Sequence, residues 1–168
     1  MQMNPFWSEV RIQTEAFELA EEERRIRQYA PNAGALVIFQ GMVREFNNHL
    51  EQDHNPIEAL FLEHYPEVTE AEITRIIEAA AQRWDILAIQ VIHRVGKLYA
   101  DEVIVLVNVC AEHRAAAFAA AEFVMDYLKT QAPFWKREHH ADGATHWVPP
   151  KASDQQALQN WQNELNSP

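Results

Sequence analysis

The chain has one cysteine, Cys110, and only four lysines in 168 residues. A lone cysteine excludes an internal disulfide and points to a reducing compartment, so the core has to close on apolar packing. At this length a fold buries roughly 68–70% of the surface of its unfolded chain, which suffices without a disulfide or metal staple. No apolar run reaches the ~18 residues that would cross a bilayer, and residues 1–9 lack the basic start and apolar stretch of a signal peptide. A cytoplasmic protein is expected. The sequence also lacks internal repeats, low-complexity tracts, a long Gly/Ser linker, GxGxxG, a P-loop, CxxC and HExxH. These absences predict one domain over residues 1–168 and argue against the common dinucleotide, nucleoside triphosphate and zinc-binding modes.

Hydrophobic residues make up 48% of the chain and charged residues 23%, both ordinary for a globular domain. The charge is lopsided: 25 acidic residues against 14 basic ones give a net of −11, which opposes general binding to nucleic acid or to an anionic membrane. Residues 113–140 depart from this balance. Arg114, Lys129, Lys136 and Arg137 there outnumber Glu122, Asp126 and Glu138, for a net of +1. A local basic site on an acidic body suits a small anionic ligand better than a polyanion.

The hydrophobic periodicity changes along the chain. Residues 8–14 read as a short strand and 17–29 as an exposed, charge-rich helix. Residues 34–43 (GALVIFQGMV) read as a strongly apolar strand interrupted by Gly41, where a missing side chain permits a bulge or the close approach of a ligand. Residues 45–55 have almost no apolar anchor and are expected to form a mobile surface loop. A strand over 57–65 precedes a helix that runs to about residue 84, with Pro66 suited to its first turn and Thr69 and Glu72 at capping-box spacing. Strands over 86–95 and 102–110 are expected to form a hairpin through Gly96 and the Tyr99-Ala100-Asp101 turn. Residues 112–130 make the strongest helix, with an apolar stripe of Phe118, Ala121, Met125 and Leu128. Pro133 ends it, and 134–139 and 145–148 read as paired extended segments across an Asp142-Gly143 turn. Ser153 with Gln156 caps a last helix near 153–163. Strands outnumber helices without strict alternation, so the fold class is α+β with a mixed, largely antiparallel sheet.

Lys129 falls on or beside the apolar stripe of its helix, where a lysine is costly unless its ammonium has a task or an outlet. Two readings stand: an amine that snorkels to water near the negative end of the helix dipole, or a functional cation. Lys136 follows seven positions later, beyond the turn forced by Pro133, and is either an outward strand residue or a second amine brought beside the first. Adjacent cations depress each other's pKa, which makes one a candidate base or nucleophile near neutral pH. His113 and Arg114 open the same helix ~24 Å from Lys129 at 1.5 Å per residue, so a site shared by both ends needs a second subunit. They, like Arg44 beside Gly41, read either as anion clamps or as solvated side chains. His139, His140 and His146 lack metal-ligand spacing and read as exposed histidines; Cys110 reads as a buried, inert thiol, and the five tryptophans, Trp135 and Trp147 among them, as core.

GALVIFQGMVREFN (34–47), LEHYPEVTEAEI (62–73), IHRVGKLYADEVIVLVNVCAEHRAAAF (92–118), MDYLKTQAPFWKRE (125–138) and SDQQALQNW (153–161) together resemble the large, catalytic subunits of molybdopterin synthase, the MoaE family. The resemblance implies an α/β hammerhead fold and a homodimer within a heterotetramer. A small ubiquitin-like sulfur-carrier subunit sits at each end of that dimer, its Gly-Gly tail ending in a thiocarboxylate. It implies conversion of cyclic pyranopterin monophosphate to the molybdopterin dithiolene, two carriers being consumed per product, with no metal or other cofactor required. By the same resemblance Lys129 and Lys136 are catalytic; Phe39, Met42, Val43, Arg44, Met125, Arg137 and Glu138 bind substrate; His113 and Arg114 bind it from the neighbouring subunit. The sequence departs from the family at Met42, where many relatives carry a cation, and the first 30 residues and the His139-His140 pair match poorly. A non-catalytic scaffold for a ubiquitin-like carrier is the alternative, which the presence of Arg44 and both lysines disfavours. A histidine-dependent metal hydrolase would require bound zinc.

Overall fold

The computed structural model describes residues 6–44, 56–149 and 151–165, so the expected loop over 45–55 lies outside the described residues. In chain order the elements are β1 (Trp7–Gln13), α1 (Leu19–Gln28), β2 (Ala35–Met42), β3 (Ile57–His64), α2 (Val68–Arg83), β4 (Ile86–Arg94), β5 (Gly96–Tyr99), β6 (Val103–Ala111), α3 (Arg114–Gln131), β7 (Phe134–His140), β8 (Thr145–Trp147) and α4 (Ala152–Leu165). The α+β class holds, but the one mixed sheet expected is two four-stranded sheets, β1-β4-β6-β2 and β5-β3-β7-β8. Only β1 with β4 is parallel.

The expected hairpin between β4 and β6 is interrupted. The two strands pair antiparallel, yet β5 between them crosses to the second sheet and pairs with β3. Gly96 at φ +83° and Asp101 at φ +68° bracket this excursion, each in the left-handed region where a tight reversal needs it.

Each face of the first sheet is covered. Alternate residues of β4 and β6 (Ile89, Val91, Val105, Val107, Val109) pack with Ile73, Ile76 and Ile77 of α2 and with Ala117, Ala120, Phe123 and Val124 of α3. On the other face Ala88 and Cys110 pack under Ile26 and Ala30 at the end of α1. On that same face the amide of buried Gln90 donates to Glu22 at 2.6 Å and to Glu9 at 2.8 Å and accepts from Asn108 at 2.9 Å, so the Gln90 amide is buried with partners.

Four local expectations are corrected. The stripe expected on α3 holds at Ala121, Met125 and Leu128, but Phe118 is left 62% exposed; Ala117 and Ala120 are buried instead, because small side chains let the helix approach the sheet. Thr69 does not cap α2: the N-cap is Glu67 at φ +66°, and Thr69 lies buried in the first turn. Its hydroxyl accepts from the Tyr65 N–H at 3.2 Å and donates to the Pro133 carbonyl at 3.1 Å, which ties α2 to the turn after α3. Trp84 and Trp161 do pack against the core, but Trp147 on the short strand β8 is 60% exposed and Trp135 stands on the outer face of β7 against Tyr65. Helix α4 begins at Ala152, which places Ser153 inside its first turn.

Candidate active site

A cavity of about 450 Å³ lies at the seam between the two sheets, closed by the end of α3 and the start of α4. Its floor is a row across the first sheet. Gly41 of β2 pairs with Val105 of β6, and Val105 with His93 of β4; all three line the cavity. Gly41 is required by close approach, since a Cβ there would stand 2.8 Å from Val105 Cγ1. The register shift after Gly41 is the bulge expected of it. Beyond the bulge, Val43 donates its N–H to the Glu102 carbonyl and accepts from Asp101 N–H, both at 2.9 Å, which fixes the backbone that presents Met42 and Arg44 to the cavity.

Helix α3 contributes Met125, Leu128, Lys129 and Ala132, at the three- and four-residue spacing that shares one helix face. Strand β7 contributes Phe134, Lys136 and Glu138, at the two-residue spacing that shares one strand face. The strand period removes Arg137 from this group. Its guanidinium lies on the opposite face, 5.5 Å from the Phe61 ring and 5.4 Å from that of Trp147, so the expected place for Arg137 in the pocket is not what the structure shows. His113, the N-cap of α3, and Arg114 in its first turn are exposed at the far end of that helix and line no part of the cavity. Phe39, Met42, Val43, Arg44, Met125, Lys129, Lys136 and Glu138 are thus brought together, whereas Arg137, His113 and Arg114 are not.

The structure adds His93, Lys151 and Asp154, which sequence reasoning missed. Lys151 precedes α4 and Asp154 lies in its first turn; helix α4 is held to α3 by the Trp161 indole N–H, which donates to Asp126 at 2.7 Å. The available signal was the scarcity of lysine: three of the four in the chain, Lys129, Lys136 and Lys151, line this cavity.

With Arg44 there are four cations around the cavity against the carboxylates of Glu138 and Asp154, on a chain of net −11. Lys129 reaches Asp154 at 3.9 Å and is 46% exposed at its side chain. Lys136 is different. Burial, and next the Lys129 ammonium, hold its amine below the usual lysine range; Lys151 and Arg44 add to this and Asp154 opposes it. His93 is buried with its Nδ1 2.8 Å from the Arg94 carbonyl, and burial pushes its pKa down to about 3.

Outside the cavity, Cys110 is buried, and burial pushes its thiol up to about 11, which fits the inert role expected. The histidines expected to be exposed divide: His146 is exposed, whereas His139 and His140 are half-buried in β7. His140 Nε2 lies 3.2 Å from Glu138 Oε2, and the His140 and His146 rings meet at 5.2 Å.

The chain is similar to known proteins in sequence and in fold. The family model described as MoaE protein matches residues 12–131. The molybdopterin synthase catalytic subunit of Ralstonia nicotianae is 46% identical over 152 residues, 90% of this chain and 83% of its own. That of Cereibacter sphaeroides is 47% identical over 152 residues, 90% of this chain and 99% of its own. Among solved structures, the molybdopterin biosynthesis MoaE protein of Burkholderia ambifaria superposes with a TM-score of 0.77 at 42% identity, over 92% of this chain and 98% of that one. The matched span runs from β1 to the end of α3, through the Gly41 bulge, Arg44, the His93 floor and Lys129, and on that ground the chain belongs to the MoaE family.

Proposed function

We propose that this chain is the catalytic subunit of a molybdopterin synthase. It takes sulfur from the thiocarboxylated C-terminus of a small ubiquitin-like carrier and transfers it to cyclic pyranopterin monophosphate, forming the dithiolene of molybdopterin. The observation that carries the reading is the convergence of Lys129, Lys136, Lys151 and Arg44 on one cavity of an acidic chain. A phosphorylated substrate and a thiocarboxylate are both anions, and fixed cations in a partly desolvated cleft bind both.

The two lysines have different work. Lys136, half-buried and with lowered proton affinity, is placed to exchange a proton with the reacting carbonyl or leaving oxygen. Lys129, paired with Asp154, is placed to stabilise the negative charge that develops on the thiocarboxylate oxygen. Arg44 and Lys151 at the rim hold the phosphate when the cyclic ester opens. In each transfer the thiocarboxylate sulfur bonds to a substrate carbon and water then cleaves the acyl carbon–sulfur bond, which leaves a carboxylate on the carrier and the sulfur on the substrate, so two carriers supply the two sulfurs.

His113 and Arg114 complete the site only from a second subunit, because α3 separates them from Lys129 by ~24 Å. Phe118, one turn after Arg114 and exposed, gives that end of α3 an apolar anchor for a homodimer. The working assembly is then two of these chains with one carrier each, each chain forming one domain over residues 1–168, in the cytoplasm.

A single-turnover assay tests this: the protein, a thiocarboxylated carrier and cyclic pyranopterin monophosphate, with dithiolene detected, beside Lys129→Ala. Product from the parent and a rate about 100-fold lower or less from the variant is expected. A parent that binds carrier stably yet yields no dithiolene would overturn the reading.

A further inference from the structure

His93 is a cavity residue whose chemistry the proposed mechanism does not use. It sits on β4 at the end of the floor row, paired with Val105, on the face that carries Ile89 and Val91. Its ring stacks on Phe134 with centroids 3.8 Å apart and planes 16° from parallel. Phe134 and Lys136 share the cavity face of β7 one strand repeat apart, so the stack holds the imidazole on the face that carries Lys136, whose charge acts on the ring.

The hydrogen bonding of the ring assigns its tautomer. Nδ1 lies 2.8 Å from the Arg94 carbonyl oxygen, and a carbonyl only accepts, so Nδ1 carries the hydrogen. Nε2 then holds a lone pair, and among the described residues no hydrogen bond is made to it; the cavity is its outlet.

We propose that His93 is a positioning residue for Lys136: a neutral imidazole, locked in the Nδ1–H tautomer, whose Nε2 lone pair is the acceptor open to the Lys136 ammonium when that side chain turns to the reacting groups. The kinetic part of this inference rests on the sulfur-transfer reading; the structural part does not.

A neutral acceptor suits the place. Lys136 is faced by Lys129 from α3, by Lys151 and Asp154 at the start of α4, by Arg44 after β2 and by Glu138 on its own strand. A further carboxylate would bind the proton tightly and spoil its exchange, whereas a further cation would expel it. An uncharged nitrogen orients the ammonium and supports its charge only modestly. Burial, Lys136 itself and His64 of β3 keep the ring uncharged, so it remains an acceptor through the neutral range.

The test uses the full chain labelled with 13C at lysine Cε, where four lysines give four signals, assigned by single Lys→Arg substitutions. His93→Phe keeps the stack on Phe134 and removes both nitrogens; His93→Gln restores an acceptor near the Nε2 position. The Lys136 titration is expected to move down by about half a pH unit or more in His93→Phe and to return most of the way in His93→Gln. The other three lysines should stay in place. In the single-turnover assay with saturating carrier, His93→Phe should be about tenfold slower with the alkaline limb of its pH profile moved the same way, and His93→Gln should recover part of both.

An unchanged Lys136 titration in His93→Phe would overturn the proposal and leave His93 a packing residue. A parent without turnover would instead sink the sulfur-transfer reading, while the titration still decides the role of His93. Should His93→Phe fail to fold, His93→Asn takes its place, since its shorter amide reaches only the Nδ1 position.

Discussion

Lys136 and Arg137 are neighbours in sequence and both are cations, yet they do opposite things. One enters the cavity, loses solvent and loses proton affinity; the other lies against Phe61 and Trp147 on the outer face of β7. Lys129 differs from Lys136 in its surroundings: its side chain is 46% exposed and lies 3.9 Å from Asp154. His93 carries a consequence for the folded state as well. Its folded pKa of about 3 lies below the ~6.5 of a free imidazole, so between these values the unfolded chain binds the extra proton. Stability contributed by the neutral ring is therefore complete above pH ~6.5 and is lost as pH falls toward 3, with a limiting slope of roughly 1.4 kcal/mol per pH unit. Denaturant melts at stepped pH should show this loss in the parent and a flatter profile in His93→Gln. Equal slopes in the two proteins would remove His93 from the acid response.

The elements position these residues through their periods and their junctions. On β7 the period of two selects Phe134, Lys136 and Glu138; on α3 the three- and four-residue spacing selects Met125, Leu128, Lys129 and Ala132. The turn between them is pinned from outside by Thr69, which reaches from α2 to the Pro133 carbonyl. On β2 the bulge at Gly41 bends the strand end toward the cavity. Gly41→Ala is predicted to cost about 1–3 kcal/mol, because its Cβ meets the stiff Val105 side chain at 2.8 Å. Val105→Ala in the same chain should recover part of that loss in thermal melts, and strictly additive effects would show that the two sites do not touch. The elements themselves were legible: seven strands and four helices were read close to where they lie. Strand β5 was not, because four residues between a glycine and a turn carry no periodicity that separates a strand of another sheet from a hairpin loop. The misplacing of Phe118 on the buried side of α3 had a different cause. Hydropathy ranks phenylalanine above alanine, whereas close helix-to-sheet packing rewards the small side chain.

At the scale of the whole molecule, a long helix separates two sets of candidate groups, with His113 and Arg114 at one end of α3 and Lys129 at the other. A symmetric dimer in which each site draws on both chains predicts complementation. Lys129→Ala and Arg114→Ala chains, each inactive alone, should on mixing yield about a quarter of parental activity, since half of randomly assorted dimers are mixed and each mixed dimer has one intact site. No recovery on mixing, with dimers demonstrably exchanged, would place His113 and Arg114 outside the site. Phe118→Asp should dissociate the dimer in sedimentation and lower activity with it. The acidic body, the absence of a disulfide, the α+β class, the order of most elements, the family resemblance and the choice of Lys129, Lys136 and Arg44 as candidates were all determined by the sequence itself, because composition, periodicity and motif are local properties. The tertiary structure alone decided that there are two sheets, that Lys136 rather than Arg137 faces the cavity, and that His93, Lys151 and Asp154 join it. Those outcomes depend on strand register and on contacts between segments far apart in the chain, such as β4 with β7 through His93 and Phe134, and α4 with α3 through Trp161 and Asp126. No short window of sequence contains both partners of such a contact.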